Sequence, residues 1–302
     1  MECVPNFSTG DPKVVKAILN EIQGAEEVVL VDHIFDSYYN RLVATFLGGK
    51  EAVLKASLEA SFAAVQLIDM SKHKGQHPRL GAVDVVPFIP LRNAEMRDCV
   101  ELARRFAETF ARSSGVPVYL YAEAATSPER RDINWLRMGE YEALAEMIRK
   151  PGREPDYGAP IFNRKSGATI VGARNIMVGF NVNLGTPDLK AAKTIAKELR
   201  KSELSPYLNA MAAYVPERNL AQIGMSLYDY REASLSRVFE YLEDLAETQG
   251  IPIVDSEVVG AMPVVALAEV ARHYLRIKNL DDGKVLEQSI LRAIDPGASE
   301  KD

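Results

Sequence analysis

Cysteine is scarce in this 302-residue chain: Cys3 and Cys99 stand far apart and form no Cys-x-x-Cys pair. That excludes a disulfide framework and a zinc ribbon, and fits a reducing, cytoplasmic location. No run of about 20 apolar residues occurs, which excludes a transmembrane helix and a membrane partner. The N-terminus MECVPNFSTGD has an acidic second residue and an early Pro-Asn break, with no basic start or apolar stretch of signal length. Positive charge is also short: 36 Lys and Arg against 42 Asp and Glu, a formal net charge of −6. Bulk electrostatics therefore draw the chain to neither nucleic acid nor anionic lipid, and any polyanion must meet a local patch. No Gly-x-Gly-x-x-Gly follows an early strand, which disfavours a dinucleotide fold.

What is present suits a soluble globular protein, with 47% hydrophobic and 26% charged residues. The length allows one large domain or two compact halves. Apolar residues recur at helical spacing over Val14 to Ile22, Ala52 to Ile68, Met96 to Ala111, Leu189 to Leu199, Leu235 to Thr248 and Val264 to Ile277. Strand-like runs separate them at Glu26 to Asp32, Leu42 to Phe46, Val83 to Ile89, Val116 to Tyr121, Ala168 to Asn183, Asn209 to Val215, Ala221 to Leu227 and Ile251 to Ser256. The order reads strand, helix, strand, strand, helix, strand, and repeats from about Gly172. It predicts an α+β protein of two βαββαβ (ferredoxin-like) lobes, each with two helices on one face of a mostly antiparallel sheet. The expected lobes are residues 1–175 and 176–302, the first enlarged by an extra strand and a helical insert around Arg130 to Lys150. Open sheet faces packed together would leave a substrate groove between the lobes. The stretch KPGREPDYGAPIFNRKSG, with three prolines and three glycines, reads as an ordered loop, and the final DPGASEKD as a solvated tail.

The densest chemistry lies in SKHKGQHPRLGAVDVVPFIP, Ser71 to Pro90, where His73 and His77 stand four apart among Lys72, Lys74 and Arg79. Zinc is disfavoured, because Gly75 and Pro78 break a helix through the pair, no further ligand cluster is present, and no His-Glu-x-x-His exists. A general acid or base is the better fit: an imidazole titrates near working pH, and neighbouring cations hold it neutral while attracting a carboxylate-bearing substrate. The alternative at this level is a solvated basic helix end leading into a strand. Local composition names no substrate.

Several stretches together carry a resemblance: ECVPNFSTG (2–10), NRLVATFLG (40–48), QLIDMSKHKGQHPRLGAVDVVPFIP (66–90), VYLYAEAA (118–125), GEYEAL (139–144), PDYG (155–158) and SGATIVGARN (166–175). They resemble, in the expected order, the formiminotransferase domain family, and NVNL, NLAQIGMSLYDY and IVDSEVVG extend the likeness more loosely into the second half. The resemblance implies transfer of a formimidoyl group from N-formimidoyl-L-glutamate to N5 of tetrahydrofolate, a co-substrate, in histidine degradation and one-carbon metabolism, with no metal. It places the catalytic histidine on His77 and the folate loop on Gly158, Ala159, Pro160, Ile161, Phe162, Asn163, Arg164, Lys165, Ser166 and Gly167. Lys72, Lys74, Arg79 or Arg41 would hold substrate carboxylates; Asn40 and Arg41 would line the groove, and His73 would support His77.

Gly167, Gly172 and Arg174 are candidates for backbone approach and anion contact, and Arg164 and Lys165 for the folate glutamyl tail; the alternatives are bulge glycines and solvated cations. The chain departs from the family pattern at Tyr38 and Tyr39, and at RKSELSPYLNA, where a glycine-rich basic stretch is common. Related formyl transfer and a non-catalytic folate-binding paralogue therefore stay open. No cyclodeaminase-like segment is seen, so a stand-alone transferase is expected, and a homodimer is the common form for an enzyme of this size.

Overall fold

Caps at both ends define the first helix. Asp11 accepts the Lys13 N–H at 2.8 Å, Pro12 takes the first helical position, and Gly24 follows the last turn of α1 (Pro12–Gln23). Its Val15, Ile18, Leu19 and Ile22 are buried, the stripe that the 3.6-residue period turns toward a core. The computed structural model describes residues 1–37 and 39–294 and divides into two units, Met1–Arg174 and Asn175–Asp302. Tyr38 and the expected tail at 295–302 lie outside the described residues.

In the first unit the opening strand comes in two pieces, β1 (Glu2–Cys3) and β2 (Asn6–Phe7). Between them stands Pro5, which has no N–H to give a ladder. After α1 come the hairpin strands β3 (Val28–Asp36) and β4 (Arg41–Gly48), then α2 (Lys50–Leu67) and β5 (Val83–Ile89). Both opening pieces lie between β4 and β5, antiparallel to each, while β3 pairs the far side of β4. The chain continues through α3 (Met96–Ser114), β6 (Val118–Ala122), α4 (Ile133–Leu136), α5 (Glu140–Met147) and β7 (Thr169–Ala173). Strand β7 inserts between β5 and β6, parallel to both, so the lobe is enlarged by two strands where one was expected.

The sheet is covered unequally. Phe46, Phe88, Phe106 and Phe110 are fully buried in the core that α1, α2 and α3 complete on one face. On the other face, Leu136, Leu144 and Ile148 of the helical insert pack with Val85, Tyr119, Tyr121 and Ile170. With cover on both sides, all seven residues of β5 are buried. Edge strand β3 lacks such cover and exposes Val29, Val31, Ile34 and Phe35.

The second unit runs β8 (Val178–Leu184), α6 (Leu189–Leu199), β9 (Leu208–Val215), β10 (Leu220–Leu227), α7 (Leu235–Thr248) and β11 (Ile253–Val259), followed by α8 (Val264–Leu275) and α9 (Leu286–Ile294). Its sheet order is β11-β8-β10-β9, antiparallel throughout, the βαββαβ order the periodicity predicts. The apolar run at 168–183 is not one strand. It divides into β7 and β8, which belong to different units, because the first half bonds to β5 and β6 and the second to β10 and β11.

Candidate active site

Between α2 and β5 the chain forms no helix, as Gly75 and Pro78 predict. Local bonds shape it: Ser71 donates its hydroxyl and its N–H to Asp69 at 2.6 and 3.1 Å, and Met70 donates its N–H to the Lys165 carbonyl at 2.8 Å. The tip of the β3–β4 hairpin docks onto this segment. A Cβ on Gly75 would come within 2.5 Å of the Tyr39 carbonyl oxygen, so the approach requires glycine. Asn40 takes a left-handed conformation (φ 51°), which asparagine tolerates. Its side chain accepts from the Gly10 N–H at 2.7 Å and donates to the Lys74 carbonyl at 2.8 Å.

The two histidines have different surroundings. His73 donates from Nε2 to the Asn40 carbonyl at 3.1 Å and accepts at Nδ1 from Arg79 Nε at 3.3 Å. Both ring nitrogens are occupied and the tautomer is set. Burial, and secondarily Arg79, lower its pKa against the opposing Asn40 bond. Arg79 is itself buried and pairs with Glu140 at 2.8 Å and with both oxygens of Glu142 at 2.8 and 2.6 Å.

His77 Nε2 meets Arg41 Nη1 in a short contact. A guanidinium only donates, so Nε2 is the acceptor and the ring is neutral. Burial, then Arg41, then Arg137, and lastly Arg79 push its pKa down to about 2. The expected neutral imidazole is thus present; of the three cations expected to hold it so, Arg79 contributes, but after burial, Arg41 and Arg137, and Lys72 and Lys74 are not among the causes. Lys72 turns away to Asp69 at 3.5 Å with its side chain 84% exposed, Lys74 is exposed at the rim, and Arg79 is neutralised by two glutamates.

Arg137 and its partner Asp84 have no counterpart among the sequence candidates. Asp84 projects from the apolar strand β5, accepts the Leu80 N–H at 2.8 Å, and pairs with Arg137 Nη2. The available signal was the lone carboxylate in VDVVPFI: a charge inside a buried strand needs a partner. Glu140 and Glu142 lay within the GEYEAL stretch without a role. An open cleft of about 560 Å³ lies beside them, reaching Gln76 and Pro78 on either side of His77, but, contrary to expectation, His77, Asn40 and Arg41 do not themselves line it. His73, Lys74, Gln76, Pro78 and Arg79 line one side, and Asn134, Arg137, Glu140 and Glu142 the other.

The stretch 158–167 does not line this cleft. It connects to it through Tyr141, which donates its N–H to the Arg79 carbonyl at 2.9 Å and its hydroxyl to the Arg164 carbonyl at 2.6 Å. The Tyr141 ring lies 5.4 Å from that of Phe162. Within the stretch, Asn163 accepts the Ser166 N–H at 2.9 Å, while Arg164 and Ile161 are exposed. Lys165 is not simply solvated, because its Nζ donates to the Gln66 carbonyl at 2.8 Å near the end of α2. Gly167 has φ 70° and abuts the Leu80 backbone, where a Cβ would fall 2.1 Å from oxygen. Gly172 makes room for the Tyr121 ring, and Arg174 lies near Glu2 and Tyr121 rather than at His77. Among the described residues no group of three or more His, Cys, Asp or Glu is arranged to hold a metal ion, and no helix is long and apolar enough to cross a membrane.

Fold and site define a class: an α+β protein of two βαββαβ units whose first unit sets a neutral imidazole among arginines beside an open cleft. The N-terminal subdomain of the formiminotransferase domain matches residues 1–174, and the formiminotransferase domain matches residues 179–295. The chain belongs to the formiminotransferase family. It is 38% identical over 297 residues to a glutamate formimidoyltransferase of Thermoplasma acidophilum, covering 97% of this chain and 98% of that one. It is 36% identical over 294 residues to another from Streptococcus pyogenes, covering 96% and 98%. A formimidoyltransferase-cyclodeaminase of Mus musculus is 41% identical over 282 residues, 91% of this chain and 52% of that protein.

Proposed function

We propose that this chain transfers the formimidoyl group of N-formimidoyl-L-glutamate to N5 of tetrahydrofolate, releasing L-glutamate, with His77 moving the proton. The observation that carries the assignment to His77 is its neutral ring, with Nε2 an acceptor against Arg41 and with Arg137 acting on it from the wall of the adjoining cleft. As the N5–carbon bond forms, His77 takes the proton N5 loses; as the carbon–nitrogen bond to glutamate breaks, it returns that proton to the leaving nitrogen.

A conjugate acid held at about 2 makes the free imidazole a weak base. Substrate carboxylates entering the cleft offset the Arg41 and Arg137 charges and raise it toward the working range. Arg41 and Lys74 attract those carboxylates, while Asn40 and His73 hold the segment in place. Exposed Ile161, together with Phe162 against Tyr141, offers apolar surface suited to a flat ring on the folate loop, residues 158–167. The same reading assigns residues 1–175 as the lobe carrying His77 and 176–302 as its C-terminal companion. It includes a homodimer in the cytoplasm, where the two free, buried thiols Cys3 and Cys99 are at home.

The test is a direct assay: purified protein, N-formimidoyl-L-glutamate and tetrahydrofolate should yield 5-formimidoyltetrahydrofolate. A protein that turns over only with a formyl donor would replace this reading. Unchanged turnover in His77→Ala would remove His77 from it.

A further inference from the structure

Arg41 and Arg137 converge on one imidazole with a single carboxylate, Asp84, acting on both. Among the described residues no carboxylate oxygen lies within 4.0 Å of the Arg41 guanidinium, whereas Arg79 has two glutamates to itself. Arg41, Arg137 and Asp84 together therefore carry one uncompensated positive charge beside a neutral ring, next to the cleft that Arg137 lines. A half-buried guanidinium without an anion is a costly arrangement that one further carboxylate relieves.

A second, independent observation concerns the donors. Arg137 Nε is buried and makes no hydrogen bond, although the side chain lines the cleft. Its Nη2 is already engaged by Asp84, which the Leu80 N–H in turn holds. The fork is therefore fixed in orientation with one donor left unmade.

The chemistry of the substrate says which carboxylate belongs there. In a formimidoyl amino acid the leaving nitrogen and the α-carboxylate are bonded to the same carbon, and the distal carboxylate is at the far end of the chain. A group that protonates the leaving nitrogen necessarily has the α-carboxylate for a neighbour. We propose that Arg137, oriented by Asp84, binds the α-carboxylate of the amino-acid substrate together with Arg41 at His77. Arg137 is then a binding residue and Asp84 a positioning residue. The proposal rests on the transfer reading above, and its test separates the two.

The probe is a pair of donors: N-formimidoyl-L-glutamate, and N-formimidoyl-4-aminobutyrate, which keeps the distal carboxylate and lacks the α one. In the unaltered protein the second donor should lose about 100-fold in kcat/KM, the scale of charge-assisted hydrogen bonds. In Arg137→Gln the same exchange should cost less than about 10-fold, because the partner is already gone. Asp84→Asn should raise KM for the amino-acid donor and shrink the discrimination while leaving KM for tetrahydrofolate in place. Equal discrimination in the unaltered protein and Arg137→Gln overturns the proposal.

Should Arg137→Gln fail to fold, Arg137→Lys keeps the charge without the planar fork and should also discriminate less; discrimination equal to that of the unaltered protein overturns the proposal. An unaltered protein inert toward both donors sinks the transfer reading instead. Calorimetry with L-glutamate and 4-aminobutyrate then decides the carboxylate site alone: Arg137-dependent preference for glutamate supports it, and equal binding of both ends it.

Discussion

The two units trace one βαββαβ path and carry the same strand order, yet among the described residues it is the first that surrounds an imidazole with arginines. The difference lies in the elements appended to the shared path. In the first unit, α3 extends the cover of one sheet face, β6 and β7 widen the sheet, and the helical insert covers the second face and brings Arg137, Glu140 and Glu142 to the segment holding His73 and His77. In the second unit the polar row is built on the shared strands themselves. Asn183 donates to Asp255 at 2.6 Å, Gln222 donates to Asn183 at 2.9 Å, and Arg218 pairs with Asp255 at 2.6 Å. Asn183 is buried, but Arg218 and Asp255 are exposed, so their ion pair is screened, while the Asp84–Arg137 pair is not. The shared path thus supplies a scaffold, and the appended elements supply the buried charges.

The largest expected effect tests where the proton transfer resides. His77→Ala should lower kcat about 10²- to 10⁴-fold, the range of a lost general acid–base group, with folate binding retained. His273→Gln, which removes the surface imidazole 2.7 Å from Glu240 in the second unit, should leave kcat unchanged. Equal losses would erase the distinction between the units.

Next comes stability. Asp84→Ala strands a largely buried Arg137 and should cost about 3–5 kcal/mol by denaturant titration. Asp255→Ala should cost clearly less, since its ion pair with Arg218 is solvated and what is lost is the bond that the buried Asn183 donates to it.

Gly75→Ala should be intermediate, about 1–3 kcal/mol from forced overpacking, because its Cβ meets the Tyr39 carbonyl and pushes the hairpin tip off the histidine segment. Thermal melting and KM for the amino-acid donor should shift together.

The smallest effect is a pH slope that separates the units. Burial and the surrounding arginines lower the folded-state pKa of His77, and burial lowers that of His73. Between about 2 and the ordinary histidine value near 6.5, the unfolded chain binds a proton that folded His77 refuses, so stability is full above that value and falls as pH drops below it. Asp255, held at about 2 by Arg218 and Asn183, contributes above the ordinary aspartate value and loses that contribution as pH falls from that value through about 2. Denaturant midpoints between pH 7 and 5 should therefore fall in the unaltered protein and flatten in His77→Asn. Asp255→Asn should leave that window unchanged.

Much of this was legible along the chain. The bounds of α6 and α7 coincide with the apolar periods at 189–199 and 235–248, because a helix and its core-facing stripe are set by neighbours three and four residues away. The non-helical character of the His73–His77 segment was equally local, read from Gly75 and Pro78. The resemblance, rather than composition or spacing, singled out His77 from His73. The break at 174–177 inside an apolar run was not legible, since only hydrogen-bond partners tell one unit's strand from the next.

By itself, then, the sequence determined the order of elements, the pairing of helix periods with strands, and a neutral histidine in a cationic loop. Tertiary structure alone decided which cations act on it. Lys72 and Lys74 are near in sequence, yet one pairs with Asp69 and the other faces solvent, while Arg41 and Arg137 come from a hairpin start and a helix end on either side. The physical reason is that charge acts through distance and dielectric: a half-buried guanidinium folded against the ring outweighs solvated lysines a few residues away.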